Sequence, residues 1–487
     1  TMRIVKFLRT NYMFLLLIFL ALGFFARVKN LNYNSPFNDE AIYVVVGQVG
    51  LFKGDWYSYN AASWMAGSQY IYPSITAIAY RVGGIVGSRV VNVIFGIGLT
   101  FFAYLTILKI VKPQDGNRYL SGFITLGILT FFPVGIYVSR LATYDMPSFF
   151  FLILSFYLLN KANHEIETKE IAKFYLLSAI SMYLAFLTKI VAGIYIPFIV
   201  FYSVIELRKR ENHFSLWKKY FLVPFVTILS IHLTFNLKFL YSYFVNQEPL
   251  EIRSYGAVIE KFWSEFYLIS PFLTIGSVGM ILTKNKRQLA LLSFATLLPL
   301  LFHLVFKNAP SLDKHTFLSV CFAAMISGIG IAGLIELMRK KVLKNFLIGN
   351  LVGSVFLFSY FSYGQVFRYN ELWSNTDNLD KFISSVVGDG DKVLAESGAS
   401  VVLASSGKDF PTNVVTFDWL QYGNLTGREA YAKATQDGYF NFIQLEDLES
   451  AKLERNSKLS SVVFQNMSEN YYKIYSKKGF VVYKRSY

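Results

Sequence analysis

Two adjacent acids, Asp39 and Glu40, follow the first long apolar run, in Pro36-Phe37-Asn38-Asp39-Glu40-Ala41-Ile42-Tyr43. Carboxylates beside hydrocarbon are costly to keep charged, so a pair at that depth points to chemistry. Asp39 suits a general base, and Glu40 a group that positions the acceptor or crowds its neighbour with like charge. The competing reading is a helix start, where acids favour the first turn. Asp145 is the second acid, in Ser139-Arg140-Leu141-Ala142-Thr143-Tyr144-Asp145-Met146-Pro147. It would orient an acceptor or a cation near Asp39, or else pair with Arg140 or cap a helix. Lys189 interrupts the apolar stretch 174–205, so it must snorkel or meet an anion, and a lipid phosphate fits that need. Lys314 and His315, in Ser311-Leu312-Asp313-Lys314-His315, are donors suited to a departing phosphate. Arg253 and Lys261, in the 241–264 loop, are weaker candidates for the same anion, with a solvated interfacial charge as the alternative.

These residues are carried by a chain that is mostly membrane. Of 487 residues, 54% are hydrophobic and only 16% charged, which makes lipid the solvent for most of it. A helix needs about 20 apolar residues to span a bilayer core. Runs near that length lie at roughly 11–28, 90–111, 119–139, 146–160, 173–188, 190–207, 220–240, 265–282, 289–306, 317–338 and 346–364, eleven in all, with 146–160 short. The formal charge of +16 does not indicate nucleic acid, because the cations cluster in short loops. Clusters such as Arg208-Lys209-Arg210, Lys284/Lys286/Arg287 and Arg339-Lys340-Lys341 all fall on one side if eleven spans are counted, as the positive-inside rule requires. With the N-terminus cytoplasmic, the 29–89 loop, the 140–145 junction, Lys189, the 241–264 loop and the 307–316 loop share the outer face. The run Tyr12–Phe25 follows Arg3, Lys6 and Arg9 and reads as an uncleaved signal anchor.

Cys321, the only cysteine, lies inside an apolar run, so no intrachain disulfide and no cysteine metal site is expected. No metal is expected either, although Asp39 with Asp145 leaves a divalent cation open. Gly328-Ile329-Gly330-Ile331-Ala332-Gly333 matches a dinucleotide pattern but lies in a span with no preceding strand, so helix packing accounts for it.

The composition changes near Asn370. Lys392–Glu396, Val414–Phe417 and Phe440–Leu445 read as buried strands, and helices are expected near 427–436 and 447–460. Tyr471–Tyr475 and Phe480–Tyr483 read as a closing hairpin around Lys477-Lys478-Gly479. The division is a polytopic α-helical membrane domain over 1–368 and an extracytoplasmic α/β domain over 369–487 with a mainly parallel sheet.

The Asp39-Glu40-x-x-Tyr43 element resembles the first outer loop of the protein O-mannosyltransferase and aminoarabinose transferase superfamily. So do Gly54-Asp55-Trp56, Tyr70-Ile71-Tyr72-Pro73 and Arg89-Val90-Val91-Asn92. Ser139-Arg140-x4-Asp145, Leu187-Thr188-Lys189 and Ser311–His315 are similar to later motifs. The resemblance covers roughly 1–340 and is strongest over 36–95. It implies the GT-C fold, with two helices along the membrane in the first outer loop. It also implies an inverting transfer of a hexose or pentose from a polyprenyl-phosphate donor to a glycan, lipid or protein acceptor. Asp39 carries over as the base and Asp145 as a second functional acid. Lys189, Arg140 and His315 carry over as phosphate contacts, and Tyr43, Tyr70 and Tyr72 are expected to line the sugar or acceptor pocket. Two departures stand out. No β-trefoil insert lies between spans. An acid-Lys-Pro element of the aminoarabinose enzymes is replaced here by Ser68-Gln69-Tyr70-Ile71-Tyr72-Pro73.

The alternatives are a transporter or flippase of lipid-linked sugars, and an oligosaccharyltransferase or glycan polymerase of the same fold. Transporters show repeated halves with broken helices at mid-depth, whereas here no internal repeat is visible and the polar residues lie on one face.

Overall fold

The computed structural model describes residues 2–56, 65–111, 117–208, 210–246, 254–307, 311–338, 340–404, 413–417, 420–446, 454–467 and 469–486. Among the described residues, nine helices have the length and apolarity to cross a membrane. A tenth span forms if the bent pair Arg118–Phe131 and Pro133–Arg140, at 58°, is counted as one. The short run expected at 146–160 is the helix Asp145–Ala162. It begins on an acid and ends beside Lys161, which keeps it below that apolarity, yet its packed faces lie between the helices Ile71–Ile110 and Thr168–Thr188. Adding it gives the eleven expected runs.

The bend at Phe132 has a specific cause. Pro133 has no N–H to continue the ladder, so the last carbonyls of Arg118–Phe131 need other donors. Arg27, fully buried in the first span, supplies them. It donates to Leu129 O at 3.1 Å, Thr130 O at 3.0 Å and Ser139 Oγ at 3.2 Å. A cation at a helix C-terminus also complements the dipole.

The span Leu312–Leu337 is the most enclosed, with 94% of its apolar window buried. Gly330 lies so close to the Gly276 carbonyl that no Cβ fits between them. The glycine pattern at 328–333 therefore serves helix packing, as expected from its position.

The 29–89 loop contributes two helices, Asn38–Gly47 and the leading part of Ile71–Ile110, which breaks at Gly83-Gly84. Gly84 has φ 59°, which favours glycine.

The C-terminal sheet has five strands in the order Val414–Thr416, Val393–Ala395, Phe442–Glu446, Phe480–Arg485, Tyr471–Lys477. The first three are parallel and the last two antiparallel, so the sheet is mixed rather than mainly parallel. Lys478 and Gly479, with φ 52° and 81°, form the two-residue hairpin turn that needs positive φ at both positions. Helix Gly427–Gln436 falls where expected, whereas the helix expected at 447–460 begins at Glu454, and 447–453 lie outside the described residues.

One core of this domain is its own, around Phe417, Tyr431 and Ile443, and a second is shared with the membrane domain. Ala41, Val44 and Val45 of the first-loop helix belong to one apolar cluster with Leu379, Ile383, Ala399 and Val402. Trp373 packs on Phe37 at 5.1 Å and donates to Ser35 O at 3.0 Å. The α/β domain thus sits directly on the helix that carries Asp39.

Candidate active site

Helix Asn38–Gly47 puts Asp39 and Glu40 in its first turn, facing different surroundings. Glu40 is fully buried and accepts four hydrogen bonds. Its Oε1 takes Arg89 Nε at 2.9 Å and Ala142 N at 2.6 Å, and its Oε2 takes Arg89 Nη2 at 2.7 Å and Phe37 N at 2.8 Å. That is about the full capacity of a carboxylate. Glu40, expected among the catalytic groups, is instead a strut: with every lone pair engaged it has none for an acceptor. Arg89 extends the strut to the carbonyls of Leu31, Asn34 and Ser35.

One helical turn from Arg89, Asn92 does matching work. Its amide donates to Leu141 O and to Thr143 O, the latter at 2.6 Å, and its oxygen accepts from Tyr72 at 3.1 Å. The non-helical junction 141–144 is therefore held from both sides, which fixes the start of helix Asp145–Ala162. Tyr43 and Tyr72 belong to this brace. Tyr43 packs on Tyr144 at 4.5 Å and on Tyr72 at 5.7 Å. Both are buried, so they support the site instead of lining a sugar pocket. Tyr70 is exposed and meets Trp56 edge-on.

Lys189 occupies an extended break, φ −149° and ψ 120°, after helix Thr168–Thr188. The first loop pins this break by strand-like pairing. Ser68 N donates to Leu187 O at 2.7 Å and Ile190 N donates to Ala66 O at 2.7 Å. A Cβ on Gly67 would lie 2.0 Å from Thr188 O, so only glycine permits the approach.

Lys314 and His315 come from the first turn of Leu312–Leu337. They complete a buried cluster. Lys314 Nζ lies 2.9 Å from Asp39 Oδ2 and 3.9 Å from Asp145 Oδ2. Lys189 Nζ is ion-paired with Asp145 Oδ1, and His315 Nε2 lies 4.0 Å from the same oxygen. The Asp145, Lys189, Lys314 and His315 side chains are all under 8% exposed, whereas Asp39 is 34% exposed. Asp39 is therefore the part-open group of the cluster, which sets two cations, Lys189 and Lys314, against two acids, Asp39 and Asp145. Placing charges there is expensive unless they are paired, and each lysine is.

Another expected contact, Arg140, has its partners away from this cluster. Arg140 donates to the Lys29 and Asn30 carbonyls and sits over the Tyr33 ring at 4.8 Å. It anchors the end of the first span through these carbonyls. Arg253 lies outside the described residues, and Lys261 is half-buried on helix Tyr255–Phe266. Among the described residues no three His, Cys, Asp or Glu side chains converge as metal ligands. The cation between Asp39 and Asp145 is Lys314.

The chain superposes along nearly its whole length on ArnT from Cupriavidus metallidurans, with TM-score 0.64, 11% identity and 98% of each chain covered. The same enzyme bound to undecaprenyl phosphate gives TM-score 0.64 at 10% identity, covering 97% of this chain and 98% of that one. This is a GT-C membrane fold. A second GT-C neighbour is the archaeal oligosaccharyltransferase AglB from Archaeoglobus fulgidus, solved with an inhibitory peptide and a dolichol-phosphate. It gives TM-score 0.60 at 10% identity, covering 98% of this chain and 75% of that one. Residues 56–246 match the family model of dolichyl-phosphate-mannose-protein mannosyltransferases. Among curated proteins no sequence matches. The matched stretch includes Arg89, Asn92, Asp145 and Lys189, while Asp39, Lys314 and His315 lie outside it.

Sequence reasoning missed His303, whose Nε2 meets His315 Nδ1 at 2.8 Å. The signal was a histidine at the end of an apolar run, twelve residues before His315.

Proposed function

We propose that this chain transfers a sugar from a polyprenyl-phosphate donor to an acceptor hydroxyl, with Asp39 as the general base. The observation that carries this reading is the shared position of Lys314, between a part-exposed acid and a buried one. A phosphate oxygen competing for the Lys314 ammonium would release Asp39 to face the acceptor. The acceptor O–H proton then passes to Asp39 while the acceptor oxygen bonds the anomeric carbon from the face opposite the phosphate. The carbon–oxygen bond to phosphate breaks, its electron pair staying on the phosphate, and the configuration inverts. Lys189, Lys314 and His315 supply the donors for that charge, and Asp145 holds both lysines in place. The neighbours solved with undecaprenyl phosphate and dolichol-phosphate support the donor class. Basic loops opposite the site support an extracytoplasmic active face in the plasma membrane. Tyr70, exposed beside Trp56, is the aromatic placed to meet an acceptor.

The likeness to AglB favours a second reading, transfer of a preassembled glycan. Purified protein in vesicles with short-chain polyprenyl-phosphate monosaccharides tests both. Transfer of one residue supports the first reading, transfer only from oligosaccharide donors the second, and movement of donor without bond cleavage would overturn both in favour of a flippase. Retained turnover in Asp39→Asn would reject Asp39 as the base.

A further inference from the structure

His303 stands on the span Lys286–Phe306 and is 2% exposed. Its ring centroid lies 5.1 Å from that of His315, and the Phe302 ring flanks it edge-on at 5.3 Å. The two imidazoles share one short contact, His303 Nε2 to His315 Nδ1 at 2.8 Å. Such a contact needs one nitrogen to donate and the other to accept. The proton on that contact decides what His315 presents at its other nitrogen, since a neutral ring carries one N–H.

That other nitrogen, His315 Nε2, is buried without a hydrogen-bond partner and faces Asp145 Oδ1 at 4.0 Å. The charged groups around it are Asp145, Lys189 and Lys314. Both lysines are held by carboxylates, Lys189 by Asp145 and Lys314 by Asp39. A lone pair aimed at a carboxylate oxygen at that range is repelled, and an N–H is attracted. The arrangement with His303 donating is therefore favoured.

We infer that His303 is a positioning residue: its Nε2–H donates to His315 Nδ1 and so keeps the His315 proton on Nε2, directed into the Asp145 pocket as a donor for an anionic oxygen. The inference rests on the transferase reading for its consequence, in which the anion is the departing phosphate. It explains why a histidine is buried in a span with a second histidine as neighbour. A hydrophobic residue would fill the same space but leave the His315 tautomer to the pocket alone.

The test uses the full chain in lipid nanodiscs, labelled with ¹⁵N-histidine. The chain has five histidines, and His315→Gln assigns the signal of interest. Long-range proton–nitrogen spectra are expected to show His315 protonated on Nε2 in the unmutated chain and in His303→Gln, whose amide nitrogen can donate from a similar place. In His303→Leu that signature should weaken or switch to Nδ1. Turnover should fall about tenfold or more in His303→Leu, with kcat dropping more than donor KM rises, since one oxyanion donor is worth up to about 10²–10³ in kcat. His303→Gln should stay within about threefold of the unmutated chain. An Nδ1-protonated His315 in the unmutated chain, an unchanged tautomer in His303→Leu, or equal losses in the two variants would each overturn the inference. The spectra need no turnover, so an inactive chain with the expected tautomer counts against the transferase reading alone.

Discussion

Asp39 and Glu40 are neighbours in one helical turn, yet one is left part-open and the other closes a joint. Around Glu40 every lone pair has a donor, and Arg89, Ala142 and Phe37 bind it from three separate segments. Around Asp39 the bonding is incomplete: one carboxylate oxygen holds Lys314, and a third of the side chain is open. Both regions place ionic groups in a largely apolar setting. The difference between them is saturation. A saturated buried pair fixes geometry, whereas an unsaturated one keeps capacity for a ligand.

The sharpest test exchanges the charge at each acid. Asp39→Asn should cut transfer by about 10²–10⁴-fold, the range for a general base, with a smaller loss of melting temperature than Glu40→Gln, since Lys314 keeps Asp145 nearby. Glu40→Gln should do the reverse in kind. It leaves Arg89 buried against a neutral group and should cost about 3–5 kcal/mol of stability, seen as loss of folded protein in detergent. A stable Glu40→Gln with normal melting would break the comparison.

The lysines grade between these extremes. Lys314→Gln leaves behind a part-exposed Asp39, so turnover should fall about 10²-fold with a small change in melting. Lys189→Gln leaves Asp145 enclosed and should lower both turnover and melting temperature. Equal melting in the two variants would argue against the division drawn here. Arg140→Gln should be milder, with donor KM unchanged and a stability loss of about 1–3 kcal/mol from the Lys29 and Asn30 carbonyls it leaves.

The smallest effect concerns the α/β domain. Burial pushes the Asp380 carboxyl up to about 6, against the Thr376 and Ser400 hydroxyls that favour its charged form. A raised carboxyl contributes stability that is full below its unfolded pKa of about 4 and lost as pH rises through about 6. Melting temperature should therefore decline by a few degrees from pH 4 to 7, and Asp380→Asn should flatten part of that slope. Glu396 and Glu446, also raised by burial, add residual slope of the same sign.

The apolar runs made the spans legible because hydrocarbon demands a length and a composition, and ten of the eleven meet both once the bent pair is joined. Short apolar runs marked the strands for a similar reason. The site was legible as residue types on one face, and Asp39, Asp145, Lys189, Lys314 and His315 do meet. What composition does not encode is whether a polar group is already satisfied. Glu40 and Asp39 look alike in sequence, and so do Arg140 and Lys189, but distances between segments decide which is strut and which is open. Tyr43 and Tyr72 illustrate the same limit, since an aromatic residue in a loop motif can stack on a substrate or on its own neighbours. Arg89 was visible as part of a motif, but its partner was set by a loop 49 residues away.

The apolar cluster joining Ala41, Val44 and Val45 to Leu379, Ile383 and Ala399 has a temporal consequence. Ala41 leaves the ribosome about 340 residues ahead of Leu379, an interval of roughly 20–70 seconds at ordinary elongation rates. Through that interval the Asp39 helix can pack on Tyr72 and Tyr144 but lacks the part of its cluster that the last domain supplies. The Asp39 helix thus reaches its final packing only when the last-made domain settles onto the first-made loop.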